Sequence, residues 1–206
     1  MSKSPSKLKD EEIDKKIKAL FKESKWKFKS FFAYKEINGF FFDVIVTTWS
    51  KTSSISATLF FKPLSVDDTF WEIVGLTENK KMPLSFRGEG AFTLPGIKIS
   101  EYKLAIVEEK LLEDIKSLIT VINNTLNDIV NKVKTLGDFI KYIEDKPDRE
   151  HNLLYRDLLI VAYITNNDIK MAMRLVEKEI QNKSISRFQF GDKDFFDLAI
   201  DYSLMR

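Results

Sequence analysis

Aromatic and β-branched side chains run along both sides of a single Asn38-Gly39 pair, between residues 26 and 63. Asn-Gly between two such runs is the strongest short-range signal of a β-hairpin, because both turn residues adopt positive φ at little cost. The pattern therefore predicts one continuous strand on each side of the turn. Counted outward from the turn, the predicted register has the pairs Ile37 with Phe40, Ala33 with Val44, Phe32 with Ile45, Phe31 with Val46 and Phe28 with Trp49.

The two faces of this hairpin differ in what has to cover them. The first face is mostly apolar, and the preceding amphipathic helix over residues 10–25 is placed to pack against it. The second face is polar at its open end and apolar near the turn. Since each large side chain gains about 1.5 to 3 kcal/mol on burial, a later helix or a partner protein is expected to cover that apolar part. The candidate partner-binding residues there are Phe31, Phe40, Phe42, Val44 and Val46.

Shorter periodic segments follow the hairpin. A third strand is predicted over residues 55–61, where apolar and polar side chains alternate until Pro63. A short helix is predicted next, because Ser65 and Asp68 have capping-box-like spacing ahead of apolar positions that share one face. Glycines and prolines then predict loops with two brief strands. These strands are expected around residues 84–87 and 91–94.

From residue 100 the apolar positions change to helical spacing. They recur every three or four residues up to Leu136, which predicts one long amphipathic helix of about nine turns. Beyond this helix the pattern predicts only further helices. They are a short one near Asp138, a buried one over residues 153–164, an antiparallel one after Asp168 and a last one that starts at Gly191 and Asp192.

Taken together, these segments predict an α+β fold. An N-terminal helix lies on a small antiparallel sheet built from the Asn-Gly hairpin, and an all-helical half follows with one long helix and a helical hairpin. The predicted division is a tail at residues 1–9, an α+β lobe at 10–99 and a helical lobe at 100–206. The two lobes are expected to share one core.

Composition narrows the class of protein. Of 206 residues 44% are hydrophobic, which is ordinary for a globular protein, and there is no cysteine for disulfides, thiolate nucleophiles or sulfur-ligated zinc. Lack of cysteine favours an intracellular compartment. The longest apolar run, residues 158–164, is far below the roughly 18 residues of a membrane span. We therefore expect a cytoplasmic protein of bacterial type without a membrane segment or a cofactor.

Charge is distributed unevenly along the chain. The formal net charge is +2, but residues 1–35 hold eleven lysines against five acidic residues, while the remainder holds 22 basic and 26 acidic residues. Only the N-terminal region is thus expected to attract an anionic partner. The candidate anion-binding residues are Lys25, Lys27, Lys29 and Arg87.

The lysines of the first strand have two interpretations. They alternate with Trp26 and Phe28, so a continuous strand places lysines and aromatic rings on opposite faces. Lysines on a strand are a common protection against edge-to-edge aggregation. The alternative is a ridge that contacts phosphates without reading bases, which would make this a nucleic-acid-associated protein.

Catalytic patterns are sparse. The one histidine, His151, precedes an apolar helix and has no evident catalytic partner, so it is expected at a surface helix start. Asp67, Asp68 and Glu72 form the closest group of carboxylates, which is the basis for an alternative as a carboxylate-dependent hydrolase. Helix capping accounts for the first two carboxylates without any chemistry. Arg87 belongs to a glycine-rich stretch that we interpret as a tight turn between short strands.

The N-terminal helix, Trp26-Lys27-Phe28-Lys29, Phe32, Tyr34, Asn38-Gly39 and the run FFFDVIV over residues 40–46 form a pattern with a family likeness. It resembles small bacterial α+β domains of unknown function, some of which are thought to serve as immunity proteins beside secreted toxins. The likeness covers at most residues 10–95. Ser24-Lys25 stand where such domains often have a glycine. The resemblance implies a partner-binding protein and carries no catalytic residues.

The expected function is therefore that of a non-enzymatic protein-interaction module, with an immunity or antitoxin-like inhibitor as the form that the resemblance implies. A nucleic-acid-associated protein and a carboxylate-dependent hydrolase are the alternatives. The long helix also offers a surface for a homo-oligomer.

Overall fold

The computed structural model describes residues 5–49, 54–90, 92–105, 108–146, 153–186 and 188–205. Two compact units make up the chain. Unit 1 comprises residues 1–61 and 98–132, and unit 2 comprises residues 62–97 and 133–206. Residue 100, the predicted boundary between two lobes, lies inside a strand, and the chain leaves unit 1 and returns to it.

The chain order of helices and strands among the described residues is α1 (Pro5–Glu23), β1 (Lys27–Lys29), β2 (Phe32–Ile37), β3 (Phe40–Trp49), β4 (Ser54–Pro63), α2 (Leu64–Ile73), α3 (Phe86–Glu89), β5 (Ile97–Ala105), α4 (Leu111–Lys132), α5 (Leu136–Glu144), α6 (Leu153–Thr165), α7 (Ile169–Gln181), β6 (Gln189–Phe190), β7 (Lys193–Asp194) and α8 (Phe195–Leu204). Short 3₁₀ turns occupy Thr77–Lys81 and Glu108–Lys110. The predicted combination of helices with a small antiparallel sheet is confirmed.

Strands β1 to β5 form one antiparallel sheet in sequential order. Between β2 and β3, Asn38 and Gly39 have φ of 53° and 80°, the positive values that a tight hairpin turn requires. The carboxylate of Glu36 accepts a hydrogen bond from the Gly39 amide at 2.8 Å. The observed register pairs Ile37 with Phe40, Ala33 with Val44 and Phe32 with Ile45.

The predicted continuous first strand is wrong, because the chain reverses at Ser30. This residue has φ of 52°, and β1 folds back onto β2 so that Phe28 lies opposite Ala33 rather than Trp49. Just before β1, Trp26 is buried, and its indole N–H donates to Asn123 Oδ1 of α4 at 3.0 Å. Burial of a large aromatic side chain with its polar atom satisfied stabilises this path.

Helices α1 and α4 cover the face of the sheet that carries Lys35. The Lys35 ammonium donates to Asn123 Oδ1 and to the Ser24 carbonyl, each at 3.3 Å, and lies 4.4 Å from the ring centre of Trp26. Along α1 the stripe Ile13, Ile17, Leu20 and Phe21 is buried. Helix α1 also contacts β3 and α4. This is the second face of the predicted hairpin, so the prediction that the N-terminal helix packs on the first face is wrong, and the chain itself covers most of the second face.

The long helix predicted from residue 100 is wrong in its first turns. Residues 97–105 form strand β5 at the edge of the sheet, and α4 begins only at Leu111 and has 22 residues. On β5 the Tyr102 hydroxyl donates to Thr125 Oγ1 of α4 at 2.8 Å and accepts from Ser100 Oγ at 2.7 Å. Short apolar runs fit a strand as well as a helix, and here pairing with β4 decides between them.

In unit 2 the helices predicted over residues 153–164 and after Asp168 start where they were predicted, whereas the short helix near Asp138 starts at Leu136. Helix α6 is buried along residues 155–164, and α7 is capped by Asp168, whose carboxylate accepts from the Met171 amide at 3.2 Å. The last helix starts at Phe195 instead of residue 191, because Gly191 with φ of 66° turns the β6–β7 hairpin. No helix among the described residues is both long and apolar enough to cross a membrane.

Two local predictions for unit 2 are wrong. Pro63 precedes the first turn of α2 without a side-chain cap, so the capping box of Ser65 and Asp68 does not form. Residues 84–87 are not a strand, since α3 begins at Phe86, and residues 92–96 have no regular structure. Of the second predicted strand, Ala91 lies outside the described residues.

Candidate functional site

An open pocket of about 240 Å³ lies on unit 1 where α1, the β1–β2 turn and β3 meet. We call it the Phe31 pocket. Its lining residues are Asp14, Lys15, Ile17, Lys18, Phe28, Ser30, Phe31 and Val46. The lining thus combines aromatic and aliphatic surface from the sheet with two lysines from the helix.

The turn at Ser30 places an aromatic ring at the mouth of this pocket. Phe31 follows directly and is 54% exposed, whereas its neighbour Phe32 is 1% exposed. The backbone of Phe31 is held in place, because its carbonyl accepts a hydrogen bond from the Val46 amide at 3.2 Å. A large exposed ring on a fixed backbone can bind a partner without a large loss of backbone entropy.

Positive charge at the pocket is not neutralised within the described residues. Lys15 and Lys18 form no ion pair with another described residue. Asp14, the one carboxylate of the lining, accepts a hydrogen bond from Thr48 Oγ1 at 2.8 Å. Lys16, between the two lysines, is paired instead with Glu12 at 2.9 Å. The pocket is therefore an apolar recess with a net positive rim.

Three of the five predicted partner-binding residues are not on the surface. Phe40 is 5% exposed, and Phe42 and Val44 are 1% exposed or less. The Phe42 ring stacks on Phe61 of β4 at 5.7 Å between centres, and Phe40 lies 6.1 Å from the same ring. These three side chains are core of unit 1. Only Phe31 and the half-buried Val46 reach the Phe31 pocket.

The four predicted anion-binding residues are divided between the two units. Lys25, Lys27 and Lys29 are exposed at or just before β1, and Lys25 and Lys27 form no ion pair with another described residue. Arg87 is engaged within unit 2. Its guanidinium donates to the Leu64 carbonyl at 2.8 Å and to Asp68 Oδ1 at 2.7 Å, and it lies 4.8 Å from the ring centre of Trp71. The prediction of an anion site at Arg87 is therefore wrong, whereas the strand lysines keep accessible charge.

Arg87 belongs to a group of charges around a buried lysine that we call the Lys62 cluster, made of Lys62, Asp67, Asp68 and Arg87. The Lys62 side chain is 1% exposed, and its ammonium donates to Asp67 Oδ1 at 2.9 Å, to the Arg87 carbonyl at 2.8 Å and to the Leu94 carbonyl. All three ammonium protons thus have acceptors. The cluster ties the loop before β5 to the start of α2.

The three candidate carboxylates each have a structural partner. Asp67 is fully buried, and burial raises the pKa of its carboxyl while Lys62, Arg87 and the Leu94 amide oppose that rise. Asp68 binds Arg87, and Glu72 binds Lys80 and accepts from the Tyr202 hydroxyl. The prediction that helix capping accounts for Asp67 and Asp68 is wrong, because both carboxylates form ion pairs instead. His151 lies outside the described residues.

The sequence contains a partial signal for each feature that was missed. Lys62 stands between Phe61 and Pro63 at the end of an apolar strand, five residues before Asp67, which is unusual for a surface lysine. Lys15 and Lys18 flank Ile17 on α1, so helical spacing places them beside the buried stripe. What the sequence does not show is which strand those helix positions lie against.

Among the described residues, no group of three or more histidine, cysteine, aspartate or glutamate side chains is placed to hold a metal ion. No protein-family model, curated protein or solved structure matches the chain.

Proposed function

We propose that the protein is a non-enzymatic interaction module that binds an acidic partner protein at the Phe31 pocket and inhibits it, as an immunity or antitoxin-like protein does. The observation that supports this most is the exposed Phe31 ring beside two lysines without ion pairs among the described residues. Exposed aromatic residues at a recess are typical of the energetically important centre of an interface.

The charges and the apolar surface of the Phe31 pocket determine what kind of partner segment it can bind. Lys15 and Lys18 favour carboxylates at the rim, while the recess between Ile17, Phe28 and Val46 accepts one apolar side chain. The further lysines of β1 extend the positive potential and raise the rate of association with an acidic surface. The expected partner segment is therefore an apolar anchor residue flanked by aspartate or glutamate.

The hydrolase alternative receives less support from the geometry. Catalytic carboxylates need access to substrate and to each other, but Asp67 is buried against Lys62, and Asp68 and Glu72 bind different basic residues. Their arrangement is that of charges which hold α2 and its neighbouring loop. The proposal accordingly assigns them to folding.

A nucleic-acid-associated function is the second candidate, and one observation favours it. Phe31 and Trp49 are 54% and 56% exposed on unit 1, which also carries the accessible lysines. Aromatic rings combined with lysines bind single strands by stacking and by phosphate contacts. Such binding loses affinity steeply with salt, whereas an apolar anchor in a recess is less sensitive.

The proposal can be tested by placing a photo-cross-linking phenylalanine analogue at position 31. The control places the same analogue at Leu112, which is 49% exposed on α4 of the same unit. We expect one protein to be cross-linked from position 31 and not from position 112, and the product to be lost when Lys15→Glu and Lys18→Glu are added. That protein, once purified, should bind the unlabelled chain and lose its activity.

Two other outcomes would overturn the proposal. Cross-links to nucleic acid from position 31, with binding of a single-stranded oligonucleotide that weakens steeply with salt, would favour the second candidate. A cross-linked product that still forms after both lysine reversals would show that the Phe31 pocket is not the binding site.

A cytoplasmic location and self-association through α4 stay predictions. Self-association is tested by sedimentation of a Val121→Lys variant, since Val121 is exposed on α4.

A further inference from the structure

The five-stranded sheet has two edges that differ in length and in charge. At one edge, β1 has three residues, and both of its charged side chains are lysines. At the other edge, β5 has nine residues, and no strand among the described residues pairs with its outer side. A short edge with like charges resists pairing with another strand, whereas a long edge is a template for it.

The side chains of β5 are divided between the two faces of the sheet. Tyr102 lies on the face that α4 covers, because its hydroxyl donates to Thr125 Oγ1 of that helix at 2.8 Å. Alternation along the strand then places Glu101 and Lys103 on the opposite face. Their side chains are 38% and 78% exposed, and the Lys103 ammonium lies 3.5 Å from the Glu101 carboxylate. Both charges are therefore accessible to a strand that pairs with β5.

Symmetry limits how two copies of β5 can pair with each other. The two-fold axis of an antiparallel pair is perpendicular to the sheet, so residues that oppose each other lie on the same face and one residue opposes its own copy. An axis at Glu101 or at Lys103 places like charges opposite each other. An axis at Tyr102 places Glu101 opposite Lys103 twice, and opposite charges directly across an antiparallel pair stabilise it.

An exposed apolar side chain on α4 lies close to the same axis. Val121 is one helical turn before Thr125 and so shares its helix face, and Val121 is 47% exposed. A perpendicular axis at Tyr102 brings the α4 of the second copy to the same face of the joined sheet. Covering Val121 there removes apolar surface from water, which favours association.

We propose that two copies of this chain form a dimer by pairing their β5 strands antiparallel, with Tyr102 on the two-fold axis. The two sheets then continue into each other, and two Glu101–Lys103 pairs select the register. None of the residues that line the Phe31 pocket takes part, so the dimer is independent of the proposed partner site.

The first test exchanges the charges in the full chain. Analytical ultracentrifugation should show a reversible dimer below about 100 µM. Glu101→Lys and Lys103→Glu should each weaken it at least about tenfold, because each variant places like charges opposite each other twice. An equimolar mixture of the two variants restores both opposite-charge pairs and should associate again. Lys98→Gln is the control, and it should change the dissociation constant less than about threefold, because no charged residue opposes Lys98 in this register.

The second test examines the register directly, since the chain has no cysteine of its own. Differently tagged chains with Glu101→Cys and Lys103→Cys are mixed and oxidised. Directly opposed residues have Cβ atoms within reach of a disulfide, so a mixed cross-linked dimer is expected. A mixture of Lys98→Cys with Lys103→Cys is the control, and it should give little of the mixed product because these positions do not oppose each other.

Three results would overturn the inference. They are a chain that stays monomeric up to about 1 mM, a dimer whose dissociation constant neither charge reversal changes, and a mixed disulfide no more abundant than in the control mixture. Circular dichroism of each variant shows that it is folded, so a loss of association is not a loss of structure.

Discussion

The Phe31 pocket and the Lys62 cluster both contain lysine side chains, but the surroundings of the charges are opposite in the two regions. In the cluster, Lys62 is buried with Asp67 and every ammonium proton has an acceptor. At the pocket, Lys15 and Lys18 form no ion pair with a described residue, and the ring beside them is exposed. The first set of charges holds the fold together, and we propose that the second set serves recognition.

The physical reason is the cost of desolvation. Burying a charge is expensive unless a partner and hydrogen bonds compensate it, so a buried lysine persists only where the structure provides both. An exposed lysine keeps its water and costs little, whether or not anything binds it. The free energy of unfolding should therefore fall much more when one charge is removed from the Lys62 cluster than when one is removed from the Phe31 pocket.

The largest expected effect is at Asp67. Asp67→Asn leaves the Lys62 ammonium buried without its counter-charge, and we expect a loss of about 3 to 5 kcal/mol in the free energy of unfolding. Asp68→Asn is the matched control, because Asp68 also binds Arg87 but its side chain is 38% exposed. We expect that variant to lose about 1 kcal/mol or less. Urea unfolding followed by circular dichroism measures both, and equal losses would contradict the distinction.

A smaller effect is expected at Lys35, which is half-buried among neutral acceptors instead of a carboxylate. Lys35→Met keeps the aliphatic chain over Trp26 and loses two long hydrogen bonds and a cation–π contact, so we expect a loss of about 1 kcal/mol at neutral pH. A loss as large as that of Asp67→Asn would show that neutral acceptors compensate a buried charge poorly here.

Lys35 also predicts a pH dependence with a definite sign. Burial, and then the neighbouring charge of Lys25, lowers the pKa of Lys35 below its ordinary value of 10.5. The folded chain thus releases this proton at lower pH than the unfolded chain does. The stability of the unsubstituted protein relative to Lys35→Met should rise as the pH increases through the lowered pKa toward that of the unfolded chain. A difference that stays constant over this range would contradict the assignment.

The smallest effect concerns a carboxylate that is exposed and still structural. Thr135 caps α5, and Asp138 Oδ2 accepts from the amides of Lys134 and Thr135 at 3.0 and 2.9 Å, which lowers the pKa of Asp138. Its contribution to stability is present at neutral pH and is lost as the pH falls through this lowered pKa. The stability difference between the protein and Asp138→Asn should therefore shrink as the pH falls below the ordinary carboxyl pKa of 3.8. A stability difference between the two proteins that grows as the pH falls would contradict this prediction.

Local parts of this fold could be predicted from the sequence, and the parts that depend on distant residues could not. The turn at Asn38-Gly39 and the Asp168 cap depend only on neighbouring residues, so the local sequence pattern was sufficient to predict each of them. The path of the chain before the break at Ser30 is stabilised by a hydrogen bond from Trp26 to Asn123, 97 residues away. Strand β5 likewise depends on pairing with β4, and its apolar positions alone also suit a helix.

The candidate site shows the same division. The pairing of Phe31 with Val46 follows from counting outward from the hairpin turn, and in the structure both side chains line the Phe31 pocket. Which rings of the second face would remain exposed could not be derived, because Phe61 and the helices that bury Phe40 and Phe42 are assembled from separate parts of the chain. The sequence therefore paired Phe31 with Val46 correctly but did not show that Phe40, Phe42 and Val44 are buried.

The most direct test combines stability and binding in one variant, Phe31→Ser with Lys15→Glu and Lys18→Glu. With the protein cross-linked from position 31 as partner, titration should show at least about a hundredfold loss of affinity. The free energy of unfolding should change by no more than about 0.5 kcal/mol per substitution, since all three side chains are exposed. Unchanged affinity together with a loss of several kcal/mol in stability would show that these residues serve the fold and would contradict the account.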